Sequence, residues 1–277
     1  MDVLDHHGLK AVFFVDPMPE LIWGVAAIED VVRPIVARGH DVQLHLHTEW
    51  LSLAGSRNPL GERVGNNMRD FTVDEQCALL DYAKNVLVSA GAPEPVAFRA
   101  GSYGANDDTL RSLSMLGMRY DSSHCPGIAS SLCDIGLSSD IQAPVEHCGV
   151  IEVPIGCISD GVNRLRHAQV TALSSAEMLS ALRHARDKGM DCFTMVSHSF
   201  ELMSRDRSRI NKIVRRRFEK ICAGLAQMSG VETGGYISHP PRVASRRESI
   251  AVPPASSLRK GLRIVEQGVA NLFYGYR

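Results

Sequence analysis

The sequence lacks closely spaced pairs of cysteine. Its seven cysteines form no C-x-x-C motif, and their number is odd. A structural zinc site is usually built on such paired thiolates, and a disulfide framework favours an even set at regular spacing. We therefore expect neither arrangement. The pattern favours a reducing compartment, and the cytoplasm is the predicted location.

Long apolar runs and an excess of charge are also missing. No segment reaches the length of a membrane-spanning helix, and the polar start, residues 1–7, has no signal-peptide pattern. The 30 basic and 31 acidic side chains give a formal net charge of −1. We therefore predict no membrane span and no nucleic-acid partner. The oligomeric state is left open by the sequence.

Short apolar segments alternate with helical patterns along the chain. Strands are predicted at residues 10–16, 41–47, 96–99, 119–121, 150–154 and 191–198. Residues 2–7 are predicted to be the end of a helix. Further helices are predicted at 21–38, 72–90, 106–116, 174–188 and 206–228. This alternation favours an α/β domain with a parallel sheet or barrel over residues 1–240. Residues 241–277 are predicted to be a C-terminal tail with a short helix at 258–273.

The first candidate site is a pair of histidines at the end of a predicted strand. His45 and His47 are separated by one residue, so their side chains point to the same face of the strand. Imidazole nitrogen is a good ligand for zinc and similar cations. Glu49 follows closely and is either a third ligand or a supporting partner. The alternative is a pair of surface histidines on an exposed strand.

Two further strand ends carry candidate groups. Arg99 opens a tight turn that runs to Gly104, where an arginine can anchor a carboxylate and main-chain amides can stabilise an oxyanion. The alternative is a plain connecting turn. His198 ends the predicted strand 191–198 and is suited to general acid chemistry, or else it is satisfied by backbone groups. The remaining histidines of the middle and late chain are expected to have surface or structural roles: His124, His147, His167, His184 and His239.

Taken in order, these segments resemble the polysaccharide deacetylase family, also called the NodB-homology family or carbohydrate esterase family 4. The matching stretches are residues 4–15, 39–47, 98–123 and 196–200. The resemblance implies a distorted (β/α)7-type barrel and a divalent metal, usually zinc. It also implies a carbohydrate substrate, from which an N-acetyl or related acyl group is hydrolysed.

The resemblance also assigns roles to individual residues. His45 matches the first metal histidine, and His47 is the preferred second one, with Glu49 as the alternative. Arg99 matches the arginine that orients the general base, the main-chain amide of Tyr103 the oxyanion donor, and His198 the general acid.

One part of the family pattern is not found. The first catalytic strand, with its paired aspartates, precedes the helix whose end is predicted at residues 2–7, so we expect the chain to lack that strand. Asp16 ends the next strand, at the same edge where His45, His47, Arg99 and His198 are expected, so it can approach the site, but no signal marks it as a replacement base.

Three functions are therefore open. The first is a metal-dependent hydrolase acting on carbon–nitrogen bonds other than peptide bonds, and the second is a non-catalytic carbohydrate-binding relative. The third is an amidohydrolase-type barrel, in which an H-x-H pair on the first strand binds metal. A complete β–α unit precedes His45, which argues against the third.

Overall fold

The computed structural model describes residues 1–128, 132–162, 164–243, 252–254 and 256–275. Eight strands are formed: β1 Val12–Val15, β2 Asp41–Leu46, β3 Ala97–Ala100, β4 Tyr120–Asp121, β5 Val145–His147, β6 Val150–Glu152, β7 Cys157–Ser159 and β8 Leu165–His167. The α-helices are α1 Asp2–His6, α2 Glu20–Trp23, α3 Ala26–Ala37, α4 Val73–Ser89, α5 Asp107–Met115, α6 Ser175–Asp187, α7 Lys212–Ala226 and α8 Ser257–Tyr274.

The central sheet is mostly parallel. Its strands lie in the order β1-β2-β3-β4-β6-β5, and only the β5–β6 pair at one edge is antiparallel. Strands β7 and β8 form a separate antiparallel ribbon. Because neighbouring parallel strands end at the same edge, the residues that follow β1, β2 and β3 come close together, and ligands of such sheets bind at this edge.

Strand β2 shows how the sequence builds the two sides of the sheet. Val42, Leu44 and Leu46 alternate onto one face, where they are buried with the apolar residues of α3, α4 and α5. Gln43 lies on the other face and is also fully buried. Its side-chain oxygen accepts hydrogen bonds from the amides of Val96 and Ala97 at 2.9 and 2.8 Å, which offset the cost of burying a polar group. The histidine pair shares this second face.

Helix caps place the helices where the sequence predicts them. Thr72, Asn106 and Ser174 each form a reciprocal capping box at the start of α4, α5 and α6. The predicted helix at 21–38 is wrong in one respect, because it is two helices. Gly24 adopts φ 79° between α2 and α3, which no right-handed helix accommodates.

Two other predicted elements differ from the structure. The helix predicted at 206–228 begins only at Lys212, where the Asn211 side chain caps the amides of Ile213 and Val214. The strand predicted at 191–198 is wrong. Within it only Thr194 and Val196 pair, through isolated parallel bridges to Ile155 and Gln169. The β7–β8 ribbon separates these two partners along the chain and interrupts the ladder.

The C-terminal helix α8 docks on the domain through charged side chains. Arg263 is 2% exposed and lies 3.0 Å from Asp160 and 3.1 Å from Glu177. Lys260 also pairs with Asp160, at 3.2 Å. The helix predicted at 258–273 is therefore present, and its polar face is directed at α6 and at the loop that carries Asp160.

The chain is thus an α/β protein with a mostly parallel central sheet. The described strands form an open sheet and a ribbon, so a closed seven-stranded barrel and a missing first strand stay predictions. Among the described residues, no helix is both long and apolar enough to cross a membrane.

Candidate active site

The two predicted metal histidines lie together at the end of β2. His45 is in the strand and His47 follows it, and their rings meet edge to face with centroids 4.8 Å apart. Both side chains are partly buried. The predicted sharing of one strand face therefore brings the two imidazoles into contact.

The His45 ring is fixed by a main-chain oxygen of the neighbouring strand. Its Nδ1 atom lies 2.5 Å from the carbonyl oxygen of Arg99, which stands opposite His45 in the β2–β3 ladder. A carbonyl can only accept, so Nδ1 donates and Nε2 keeps its lone pair. Burial lowers the pKa of His45 to about 3, and the neighbouring His47 and Arg99 side chains add to the shift. A neutral imidazole held in this way is the form that binds a metal.

His47 is held by a carboxylate and by a close main-chain approach. Its Nδ1 lies 3.3 Å from the side chain of Glu49, which is exposed. A Cβ atom added at Gly101 would lie 2.7 Å from the same Nδ1, so only glycine fits at the start of the Arg99 turn. In this position Glu49 supports the ring of His47 through Nδ1 and leaves Nε2 without that contact.

Arg99 reaches across to the end of β4. Its Nε donates to the carbonyl oxygen of Ser122 at 3.0 Å, and a terminal nitrogen donates to the Ser122 hydroxyl at 2.9 Å. The guanidinium also lies over the ring of Phe14, 4.2 Å from its centroid. Among the described residues, no carboxylate is within 4.0 Å of Arg99. Although burial raises the pKa of the Asp121 carboxyl, the charge of Arg99 still acts to lower it. The expected role of Arg99, orienting a general base, stays a prediction.

The turn after Arg99 is conformationally strained. Ser102 and Tyr103 both have positive φ, 54° and 58°, a region that non-glycine residues rarely adopt. The Tyr103 side chain packs against Cys125, Ile155 and Val196, and burial raises the pKa of its hydroxyl to about 12. Two such residues in succession cost conformational energy, which the packing around the turn must offset.

His198 follows Val196, which packs against Tyr103, and is oriented by an acidic residue that the sequence did not single out. Its Nδ1 is 2.9 Å from a carboxylate oxygen of Glu201, whose side chain is only 4% exposed. Gln169 and Ser197 donate to the same carboxylate. The Nδ1 proton is thereby directed at Glu201, and Nε2 is left to exchange a proton with a substrate. The only sequence signal for Glu201 is its spacing of three residues after His198.

Asp16 follows β1, and the sequence places it at a strand end without assigning it a role. It accepts hydrogen bonds from the indole nitrogen of Trp50 at 2.9 Å, from the amide of Met18 at 3.0 Å and from the amide of His47. Burial raises the pKa of its carboxyl to about 6, although these hydrogen bonds act in the opposite direction. The strand pairing of β1 with β2, which no local pattern encodes, puts this carboxylate beside the histidine pair.

A buried pair of carboxyl groups lies one strand beyond Arg99. Asp121 and Glu152 face each other across β4 and β6, are both fully buried, and are joined by a hydrogen bond. Burial raises the pKa of both carboxyls, because each charged form loses its hydration in the interior. Asp121 also accepts from the amide and hydroxyl of Ser123, the turn-capping role that such a residue commonly has.

Two of the ligands expected for a metal fit, and within the part of the chain that the structure describes no third ligand converges with them. His45 and His47 each have Nδ1 engaged with an oxygen atom, which directs Nε2 toward a cation. Among the described residues, one group of at least three metal-ligating side chains converges within 4.8 Å, formed by Asp107, His147 and Cys148. It contains neither His45 nor His47, so it is a separate cluster.

The chain was compared with family models, curated proteins and solved structures, and only solved structures match it. No family model and no curated protein matches the chain. The chain is similar to a Mycobacterium smegmatis protein described as a polysaccharide deacetylase, with 17% identity, a TM-score of 0.56, and 89% of this chain and 79% of that one covered. A family 4 carbohydrate esterase from Streptomyces lividans, solved with acetate, is similar at 13% identity and a TM-score of 0.47, with 88% of each chain covered.

The match to the Mycobacterium protein establishes the fold. The chain has the α/β fold of a polysaccharide deacetylase, and the resemblance seen in the sequence is confirmed at this level.

Proposed function

We propose that this protein is a metal-dependent hydrolase that removes an N-acetyl or related acyl group from a carbohydrate, breaking a carbon–nitrogen bond other than a peptide bond. The main support for this proposal is the contact between His45 and Arg99 beside His47. It gives a neutral imidazole whose Nε2 is available next to a second imidazole. His45 and His47 would hold the cation, with zinc favoured by their nitrogen donors. When bound, the cation would polarise the acyl carbonyl of the substrate.

The other side chains have separate tasks in this proposal. Asp16 is the proton acceptor, because it contacts His47 and is more enclosed than Glu49, which is exposed. His198 donates a proton from Nε2 to the leaving amine, with Glu201 holding its Nδ1. The Tyr103 amide, in the strained turn, is the proposed donor to the oxyanion.

Acetate release from an N-acetylated oligosaccharide tests the proposal. The wild-type chain, supplied with zinc, is expected to release acetate, and Asp16→Asn and His198→Asn to release it at least about a hundredfold more slowly. Asp30→Asn on α3 and His239→Asn are the matched controls, since both residues are exposed and neither is part of the proposed site. Equal loss in Asp16→Asn and Glu49→Gln would contradict the choice of Asp16.

A non-catalytic carbohydrate-binding protein is the second candidate. It is favoured by Arg99, which contacts Ser122 where a catalytic arginine would contact a carboxylate. This alternative predicts saturable oligosaccharide binding by calorimetry, weakened in Arg99→Ala, with no acetate release. An amidohydrolase-type barrel fits less well, because β1 precedes the histidine-bearing strand in the sheet. A cytoplasmic location stays a prediction from cysteine usage.

A further inference from the structure

A second cluster of metal-ligating side chains lies away from the histidine pair. Asp107 is the first residue of α5, His147 is the last residue of β5, and Cys148 follows in the turn to β6. One ligand atom from each residue lies within 4.8 Å of those of the other two, and all three residues are partly buried. The cluster therefore joins a helix to the hairpin at the edge of the central sheet.

The Asp107 carboxylate is the centre of this cluster. One of its oxygens lies 2.9 Å from Nε2 of His147 and accepts from the amide of Gly136 at 2.8 Å. The Cys148 thiol also forms a hydrogen bond with Asp107. Arg111, whose charge also acts on Asp107, is itself paired with Asp108 at 2.5 Å.

This order of contacts argues against a nucleophilic cysteine. A catalytic thiol needs the histidine beside it as a base, with the acid behind the histidine. Here the carboxylate lies between the imidazole and the thiol, and both donate to it. Three different ligand atoms that converge on one point are instead the arrangement of a cation site, and a thiolate with an imidazole selects zinc over magnesium or calcium.

We infer that Asp107, His147 and Cys148 bind a zinc-class divalent cation that clips the β5–β6 hairpin to α5. Zinc–nitrogen and zinc–oxygen bonds of about 2.0–2.2 Å separate two ligand atoms by a little over 3 Å. A small shift of the His147 and Asp107 side chains therefore admits the ion between Nε2 and the carboxylate, while the proton of the neutral ring moves from Nε2 to Nδ1 by exchange with solvent. On binding, Cys148 loses its thiol proton to solvent and the sulfur forms the third bond, which leaves a fourth position for water.

The turn that carries the thiol supports this assignment. Cys148 has φ 48° and Gly149 has φ 86°, the pair of left-handed residues that a two-residue hairpin turn requires. Asparagine or aspartate is the usual residue before glycine in such a turn, and cysteine there is uncommon. A residue kept in this conformation against its own preference indicates a role for its side chain.

Cobalt titration tests the inference independently of the proposed active site. The chain with His45→Ala and His47→Ala is titrated with Co²⁺, because the histidine pair contributes no sulfur and cannot produce a thiolate-to-cobalt charge-transfer band. We expect that band with about one cobalt per chain, its loss on adding Cys148→Ser, and its retention on adding Cys77→Ser, a matched change of a partly buried cysteine on α4. A band that survives Cys148→Ser, or no band at all, would overturn the inference.

A second variant tests the site without changing Cys148, because Cys148→Ser could abolish the band by disturbing the turn as well as by removing a ligand. Asp107→Asn keeps the size of the side chain and is expected to weaken cobalt affinity at least about tenfold, with an unchanged circular dichroism spectrum. Unchanged affinity in this variant would exclude the carboxylate as a ligand. Failure of the histidine pair as a metal site would leave all of these results in place, so the two hypotheses fail separately.

Discussion

The Nδ1 atom of His45 lies 2.5 Å from the main-chain oxygen of Arg99, across the β2–β3 ladder. The register of two parallel strands thus sets the tautomer of a predicted metal ligand. The same oxygen belongs to the residue that opens the strained turn at Ser102 and Tyr103. The histidine pair and the turn are therefore coupled through one peptide group. A substitution that moves the turn is expected to move the imidazole rings as well.

Gly101→Ala is the most local test of this coupling. The added Cβ would lie 2.7 Å from Nδ1 of His47 and 2.8 Å from the main-chain oxygen of Leu46. We expect the His47 ring to be displaced and zinc affinity to fall at least about tenfold. Gly261→Ala on α8 is the control, because an added Cβ there meets no atom within 4 Å. Equal zinc affinity of the two variants by calorimetry would contradict the packing argument.

Glu201 is expected to act through His198, as a positioning residue. Glu201→Ala removes the acceptor of the Nδ1 proton, so kcat for acetate release should fall at least about tenfold with little change in KM. Glu201→Gln keeps an acceptor oxygen and should recover part of the loss. Glu219→Ala, on the exposed face of α7, should have no effect. A rise in KM with unchanged kcat would show that Glu201 serves binding instead.

The Asp121–Glu152 pair predicts how stability depends on pH. Both folded-state pKa values are raised, by burial first, so between the unfolded and the folded pKa the native state binds more protons than the unfolded state. The free energy of unfolding must then fall as pH rises through this window, which begins near pH 4. Glu152→Gln replaces the protonated carboxyl with an amide that can donate to Asp121. We expect urea unfolding of this variant to depend less on pH between 5 and 8, and an unchanged slope would contradict the assignment.

Arg263 predicts the strength of the α8 attachment. The side chain is 2% exposed and lies between Asp160 and Glu177, which are each 6% exposed. Arg263→Met leaves Glu177 without its cation, and breaking a buried pair from one side costs about 3–5 kcal/mol. Arg166 and Lys260 still serve Asp160, so we expect the lower end of this range. Lys260→Met, which removes a more exposed cation, should cost far less in the free energy of unfolding.

The sequence predicts those parts of the fold that local chemistry determines. Helix starts at Thr72, Asn106 and Ser174 follow from their capping residues, and the shared face of His45 and His47 follows from strand geometry. Asp16 is expected at the same sheet edge, but its contact with His47 does not follow from the sequence, because it depends on the β1–β2 pairing. Glu201 is not predicted at all, because it reaches His198 only through a short turn. His147 was expected to have a structural or surface role, and only the fold brings it to Asp107 and Cys148.

At residues 191–198 the sequence predicts a strand that the structure does not form. Its apolar alternation is typical of a strand, yet only Thr194 and Val196 find partners, one bridge each. Hydrogen bonding between strands depends on which segments lie alongside. Here the residues between the two bridge partners, Ile155 and Gln169, form the β7–β8 ribbon and do not pair with this segment. The candidate acid His198 therefore follows a weakly paired segment.

Zinc titration of the Cys148→Ser chain, with acetate release followed at each step, tests the central claim most directly. This variant removes the proposed second site and leaves His45 and His47 as the predicted zinc ligands. We predict that activity rises with the first equivalent of zinc, and that adding His45→Ala abolishes both zinc binding and acetate release. Acetate release that needs no zinc, or that is unchanged by His45→Ala, would contradict the account.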